Sequence, residues 1–241
     1  MSVMQLEKEF FIHTSMVGKN DYIRPAAILD LFQDMASLHA NQIGVGFDDI
    51  VKKNYFWIVS SIEFEQLRQF KSISYVKVKT WPKEKNRLEY IREFTISDLE
   101  GNLLVKGIST WVVIDITTRK LTRGDDIIFN GEYSSETNYP NYRRRKIPLL
   151  NDNVIKEWDY KVLATDLDHN GHMNNAKYAD IIYNGLFDDR SVKNLHISFL
   201  HEALLNDNIH VSYYKNDSNT NYYIGKIDDK VCFEICMEVN D

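Results

Sequence analysis

The chain has 241 residues, 44% of them hydrophobic and 27% charged, which excludes intrinsic disorder and provides a sizeable core without disulfides or metals. A formal net charge of -6 at pH 7 argues against a nucleic-acid partner, since that binding rests on neutralising phosphates with Lys and Arg. Only Gly 10 and Pro 4 are present, which excludes collagen-like and linker-rich architectures.

The first ten residues, Met1 to Phe10, carry no basic segment followed by an apolar one, and no apolar run approaches the roughly 18–20 residues that span a bilayer. A cytoplasmic chain without a membrane span is expected. Cys232 and Cys236 are four residues apart. In a strand that is about 13 Å, beyond disulfide reach, so two reduced, buried thiols are expected.

Phe10 to Thr14 reads as a short strand. Asn20 to Pro25 reads as a helix entry, with Pro25 near the first helical position. Ile28, Leu31, Phe32, Met35 and Leu38 then recur at helical spacing and give one apolar stripe. Gly44 and Gly46 close the segment. Strands follow at Phe56–Ile62 and Tyr75–Trp81, the second alternating with period two. Tyr90–Ile96 and Leu103–Val113 flank a hairpin turn at Asp98–Asn102.

From about Thr122 to Asn151 the chain is polar and lacks periodicity, which reads as a linker. Arg143, Arg144, Arg145 and Lys146 form a basic run, either a solvated face or a surface that steers an acidic partner.

The last 90 or so residues repeat the order of the first half. Asn170–Phe187 is a helix candidate, with Tyr178, Ile181, Ile182 and Leu186 apolar. Strands are expected at Leu195–Leu200, Ile209–Tyr214, Tyr222–Ile227 and Lys230–Val239. One helix cannot be buried by a short meander alone, whereas two such units can join their sheets and cover both helices. The expected class is α+β: two tandem strand–helix–antiparallel-meander units, 1–125 and 151–241, with a linker at 126–150.

The densest polar cluster, Asp166 to Asn175, lies between a strand and the second helix. Three readings compete. Asp166, Asp168, Asn170 and Gly171 imitate the opening of a calcium loop, but the twelfth position, which needs a bidentate glutamate, is Lys177. An Asp or Asn capping the helix explains one or two polar groups and leaves the rest idle. In the catalytic reading Asp168, Asn170 and His172 alternate along an extended lead-in and face one pocket. The helix start supplies free N–H groups and positive dipole where an oxyanion would sit, and a histidine exchanges protons near neutral pH.

The segment Asp166-Leu-Asp-His-Asn-Gly-His-Met-Asn-Asn-Ala-Lys-Tyr178 resembles the signature of the acyl-acyl-carrier-protein thioesterases, D-x-N-x-H followed by N-N-x-K-Y. Arg24-Pro25 and the stretch from Trp111 to Leu121 resemble the family too, and the chain looks like a bacterial relative of the plant enzymes. The resemblance implies a double hotdog fold, and hydrolysis of fatty acyl-acyl carrier protein to free fatty acid. It implies Asp168, Asn170, His172 and Glu202 as catalytic residues, no cofactor or metal, and acyl-phosphopantetheine on acyl carrier protein as the partner substrate. It assigns the amino-terminal unit, with the apolar stripe of its helix, to the acyl chain. Ala203 stands where many relatives carry cysteine, which argues against a cysteine nucleophile. Either Glu202, with Asn170 or His172, activates water, or Asp168 attacks directly. An acyl-CoA thioesterase and a non-catalytic acyl-binding protein are the alternatives, and a homodimer is left open.

Overall fold

The structure, a computed structural model, describes residues 2–19, 21–70, 72, 74–143, 147, 154–185, 190–215 and 220–240. The first half runs β1 (Leu6–Ile12), α1 (Pro25–Gln42), a short α2 (Phe47–Val51), β2 (Tyr55–Gln66), β3 (Ser74–Pro82), β4 (Tyr90–Asp98), β5 (Leu103–Asp115) and β6 (Leu121–Thr122). The second runs β7 (Lys156–Lys161), α3 (Asn175–Gly185), β8 (Val192–Phe199), β9 (Asn208–Lys215), β10 (Thr220–Ile227) and β11 (Lys230–Val239).

All these strands join one antiparallel sheet, in the order β1-β3-β4-β5-β2-β8-β11-β10-β9-β7, with β6 paired to β5. Read outward from its middle, each half has the same succession. The middle is a seam between β2 and β8, with Ser61 opposite Ser198 and Glu65 opposite Asn194. This is the double hotdog architecture: each meander wraps a helix, and the two helices pack against each other inside the joined sheet.

The pattern of side chains explains the wrapping. Ile28, Leu31, Phe32 and Met35 of α1 are all buried, each stabilising the fold by about 1.5–3 kcal/mol relative to exposure. Phe32 stacks on Phe94 with centroids 4.4 Å apart, and it reaches the sheet only because Gly107 lies beneath it. A Cβ at that position would stand 2.1 Å from the Phe32 ring. In α3, Tyr178, Ile181 and Ile182 are buried in the same way.

Several local expectations need correcting. The first strand begins at Leu6 and ends at Ile12, and Thr14–Met16 forms a 3-10 turn. Leu38 does not continue the α1 stripe: it is 40% exposed, while His39 is 1% exposed and takes the inward position. The helix period places residue 39, four after Met35, on the buried face. After Gly46 comes α2, which periodicity over five residues is too short to announce. The second helix starts at Asn175, not Asn170, because residues 167–173 close a tight turn; Leu186 and Phe187 lie outside the described residues.

The polar stretch between the halves is pinned across the outer face of the first unit. Glu93 is buried, and its carboxylate accepts hydrogen bonds from Thr137 Oγ1 at 2.7 Å and Asn138 N at 2.6 Å. Trp81 Nε1 donates to Glu136 O at 3.0 Å, and Tyr139 OH to Lys106 O at 3.1 Å. Its polar residues therefore serve a buried carboxylate and sheet carbonyls. In the basic run, Arg144, Arg145 and Lys146 lie outside the described residues. Among the described residues, no helix is long and apolar enough to cross a membrane.

Candidate active site

The loop between β7 and α3 is built by its own polar side chains. Asp166 is buried and accepts from Tyr160 OH and Leu163 N, both at 2.8 Å. Asp168 N donates to His172 O at 2.8 Å, and Gly171 N to Asp168 O at 3.1 Å. Gly171 carries φ +80°, a left-handed conformation that closes the turn without a Cβ penalty. Asp168 Oδ1 accepts from Asn170 N at 2.8 Å and His172 N at 3.2 Å. The segment is thus a tight turn flanked by the Leu167–Met173 bridge, not an extended lead-in. The alternation of Asp168, Asn170 and His172 does not explain their placement; the side chain of Asp168 folding back on the backbone does.

The second wall comes from the segment just after β8. His172 bridges to Leu204, and Met173 N donates to Ala203 O at 2.9 Å. This pairing brings His172 Nε2 to 3.2 Å from Glu202 Oε2, with the side chains 40% and 59% exposed. Of the four expected residues, His172 and Glu202 meet directly. Asp168 lies beneath them as the loop's internal brace. Asn170, at the exposed tip, makes one side-chain contact among the described residues, at 3.5 Å to Asp168 Oδ2.

The start of α3 supplies a donor. Asn174 caps the helix, its Oδ1 accepting from Ala176 N at 2.8 Å. Asn174 N donates to Asp166 O and Lys177 N to Asn174 O. Asn175 N is left with no hydrogen-bond partner among the described residues. The capping reading therefore holds for Asn174, which the sequence reading did not single out.

Asn175 and Ala176 also line a pocket of about 20 Å³, whose remaining wall belongs to the first unit, including Leu29, Phe32, Phe94 and Trp111. The pocket therefore lies between the α3 terminus and core side chains of the other half. The first unit also touches the loop from outside: Phe47 of α2 meets the His169 ring edge-on, centroids 5.5 Å apart.

The first unit repeats the loop without its chemistry. Gly18 N to Tyr22 O, Asp21 N to Gly18 O, Arg24 N to Met16 O and Ala27 N to Arg24 O reproduce, at a constant numbering offset (168 − 18 = 150), the bonds from Asp168, Gly171, Asn174 and Lys177. Gly18 replaces Asp168 and Tyr22 replaces His172. Beyond β2, Leu67 N and Arg68 N donate to Leu104 O as Leu200 N and His201 N donate to Cys232 O. That register places Gln69 where the second unit has Glu202. Asn20, the counterpart of Asn170, lies outside the described residues. Arg24, in the place of Asn174, instead spans to α3, its Nη1 2.9 Å from Asp180 Oδ1.

Cys232 and Cys236 are buried and form no disulfide. Cys232 Sγ donates to His201 O at 3.0 Å, and burial pushes its thiol up to about 11. It supports the backbone under Glu202 as a neutral thiol, not as a thiolate.

The family model described as the acyl-ACP thioesterase N-terminal domain matches residues 4–130, and that of the acyl-ACP thioesterase C-terminal domain matches residues 151–235. An oleoyl-acyl carrier protein thioesterase of Arabidopsis thaliana is 25% identical over 189 residues, covering 71% of this chain and 51% of that protein. A palmitoyl-acyl carrier protein thioesterase of Gossypium hirsutum is 26% identical over 185 residues, covering 71% and 44%. The chain spans about half the length of the curated relatives it matches. Among solved structures, an acyl-ACP thioesterase from Bacteroides thetaiotaomicron superposes with a TM-score of 0.87 at 18% identity, covering 98% of each chain. A 12:0-ACP thioesterase from Umbellularia californica gives 0.88 at 18% identity, covering 100% of this chain and 98% of that one. These superpositions show the shared fold, and the two family matches together span both halves: the chain belongs to the acyl-ACP thioesterase family.

Proposed function

We propose that the protein hydrolyses the thioester of fatty acyl-acyl carrier protein, releasing free fatty acid and ending elongation. The observation that carries this reading is the His172–Glu202 pair at 3.2 Å, built on the same turn that leaves Asn175 N without a hydrogen-bond partner among the described residues, beside a pocket lined mostly by the first unit. An acid–base pair, an oxyanion donor and an apolar recess are the parts that thioester hydrolysis needs.

In this mechanism the acyl chain enters the first unit and the thioester carbonyl lies at the α3 terminus. Glu202 takes a proton from water as the water oxygen bonds to the carbonyl carbon. The carbonyl electron pair moves onto oxygen, and Asn175 N–H with the helix dipole stabilises that charge. Collapse breaks the C–S bond. The thiolate receives the proton from Glu202 through the imidazole of His172, so acid and thiol leave with all atoms accounted for. Asp168 holds the backbone of the turn, Asn170 positions the water, and neither forms a bond to substrate. Residues 1–125 form the acyl-binding unit, 126–150 the connection and 151–241 the catalytic unit. The chain works in the cytoplasm, without a cofactor.

The pocket has room for about one water molecule, so side chains along it must yield when an acyl chain enters. The test is thiol release from acyl chains of graded length presented on carrier protein and on CoA. Hydrolysis of the carrier-bound form, weakened by salt through screened docking on the acidic carrier, supports the reading. Faster turnover of the CoA form at every length overturns the choice of donor, and no release from either overturns the activity.

A further inference from the structure

Tyr178, in the first turn of α3, is 2% exposed. Its ring meets Phe199 and Phe233 edge-on, with centroids 5.4 and 5.3 Å apart. A phenylalanine would pack there as well, so the hydroxyl needs a reason of its own: buried, it is costly unless it is hydrogen-bonded. Its partners are Cys232 Sγ, at 3.8 Å, and the backbone N–H of Ala203, which is directed at the phenol oxygen. The thiol has one proton and gives it to His201 O at 3.0 Å, so the phenol O–H is the donor toward Sγ. Burial pushes the phenol far above its ordinary value, and it keeps that proton at neutral pH.

These contacts bracket Glu202. On one side, His201 O is held by the Cys232 thiol and His201 N donates to Cys232 O at 3.1 Å. On the other, Ala203 N meets the Tyr178 hydroxyl and Ala203 O accepts from Met173 N at 2.9 Å. The Glu202 side chain is itself 59% exposed, so its aim at His172 is set by the two peptides that flank it. The first unit builds the same bend without these polar groups. Leu67 N and Arg68 N converge on Leu104 O as Leu200 N and His201 N converge on Cys232 O. In the register of the two halves, Ile28, Phe70 and Leu104, all buried, stand where the second unit has Tyr178, Ala203 and Cys232. The bend therefore forms on apolar side chains in the unit that carries Gln69, and it has a hydroxyl and a thiol beneath it in the unit that carries Glu202.

We propose that Tyr178 is a positioning residue for the reaction: its hydroxyl, bridging Ala203 N–H and the Cys232 thiol, fixes the peptides on either side of Glu202 and so holds that carboxylate against His172 and the attacking water. This rests on the thioesterase reading above. The experiment measures thiol release from acyl-acyl carrier protein by the wild type, Tyr178→Phe, Glu202→Gln and the double variant, with thermal unfolding of each. Steady-state kcat and KM are compared for the first two, and single turnovers with enzyme in excess give the rate of all four. Tyr178→Phe is expected to lower kcat by about tenfold at a near-wild-type KM, part of the loss that misplacing a catalytic group incurs. In the Glu202→Gln background the same change is expected to alter the residual rate by less than about twofold, because the carboxylate that the hydroxyl serves is gone. Wild-type kcat in Tyr178→Phe, or an equal loss in both backgrounds, overturns the proposal: a hydroxyl that served only the fold would act alike in both. Should Tyr178→Phe not fold, Cys232→Ala, which removes the thiol that the hydroxyl bridges to, is read in the same two backgrounds against the same criteria. A wild type that releases no thiol, or Glu202→Gln as fast as the wild type, contradicts the thioesterase mechanism itself, and the proposal falls with it.

Discussion

Glu202 lies past the end of β8 and His172 before the start of α3, yet their side chains stand 3.2 Å apart. Backbone pairing of Met173 N with Ala203 O at 2.9 Å fixes that approach, so it does not depend on the two exposed side chains finding each other. His172→Ala and Glu202→Gln are each expected to lower kcat by at least about 10²-fold, the low end for loss of a general acid or base. Steady-state thiol release checks this, and near-wild-type turnover in either variant would remove that residue from the mechanism.

Asp168 separates the two chemical routes. Both hydrogen bonds from backbone N–H groups reach its Oδ1, at 2.8 and 3.2 Å, and asparagine can offer an equivalent oxygen. Asp168→Asn is therefore expected to lose no more than about tenfold in kcat, whereas Asp168→Ala, which unties the turn, loses more. A nucleophilic Asp168 would give the opposite pattern. It would lose activity almost completely as asparagine, and in single-turnover hydrolysis in labelled water it would carry the label in its own carboxylate.

The sequence made the architecture legible because apolar periodicity reports which face of an element is buried. It placed the meanders, the two helices and the repeat. It misplaced Leu38 because a stripe read by type alone skipped a buried histidine, and His39 is polar for the sake of Arg92. The site was legible through residue types clustered around Asp168 and, for Glu202, through a family resemblance. Its geometry was not legible. An aspartate folding onto amides two and four residues ahead looks, in one dimension, like one aimed at a substrate. The pocket's far wall, with Phe94 and Trp111 from other strands, arises only from sheet register, which no local pattern encodes.

The two units are also clasped through their helices. Arg24 and Asp180 form an ion pair at 2.9 Å with side chains 31% and 22% exposed. Partial exposure discounts it, and Arg24→Ala is expected to cost about 1 kcal/mol. A double-mutant cycle with Asp180→Asn, followed by urea denaturation, should show coupling between the two sites. Strict additivity would mean that the clasp contributes nothing.

His39 predicts a pH window for stability. Its folded-state value, about 4, lies below the ordinary 6.5, so the unfolded chain binds the proton first as pH falls. The contribution is complete above about 6.5 and is lost between 6.5 and about 4, up to about 3 kcal/mol. His39→Gln, which keeps an acceptor for Arg92, should flatten that part of the stability profile measured by denaturant midpoint. An unchanged slope would place the acid sensitivity elsewhere.

Cys232 should behave as a packing residue. With its thiol pushed up to about 11, it is expected to resist alkylation in the native protein at neutral pH and to react only on unfolding. Mass spectrometry after a timed exposure to iodoacetamide checks this. Rapid modification with parallel loss of activity would bring the thiol into the reaction.

The proposed cleavage of a thioester by an acid–base pair in the second unit is checked by the rate of thiol release from acyl-acyl carrier protein by the wild type and Glu202→Gln. The prediction is measurable turnover by the wild type and a fall of at least about 10²-fold in a variant that binds the same substrate with similar KM. Equal rates in the two proteins, or no release by the wild type at any chain length, would contradict it.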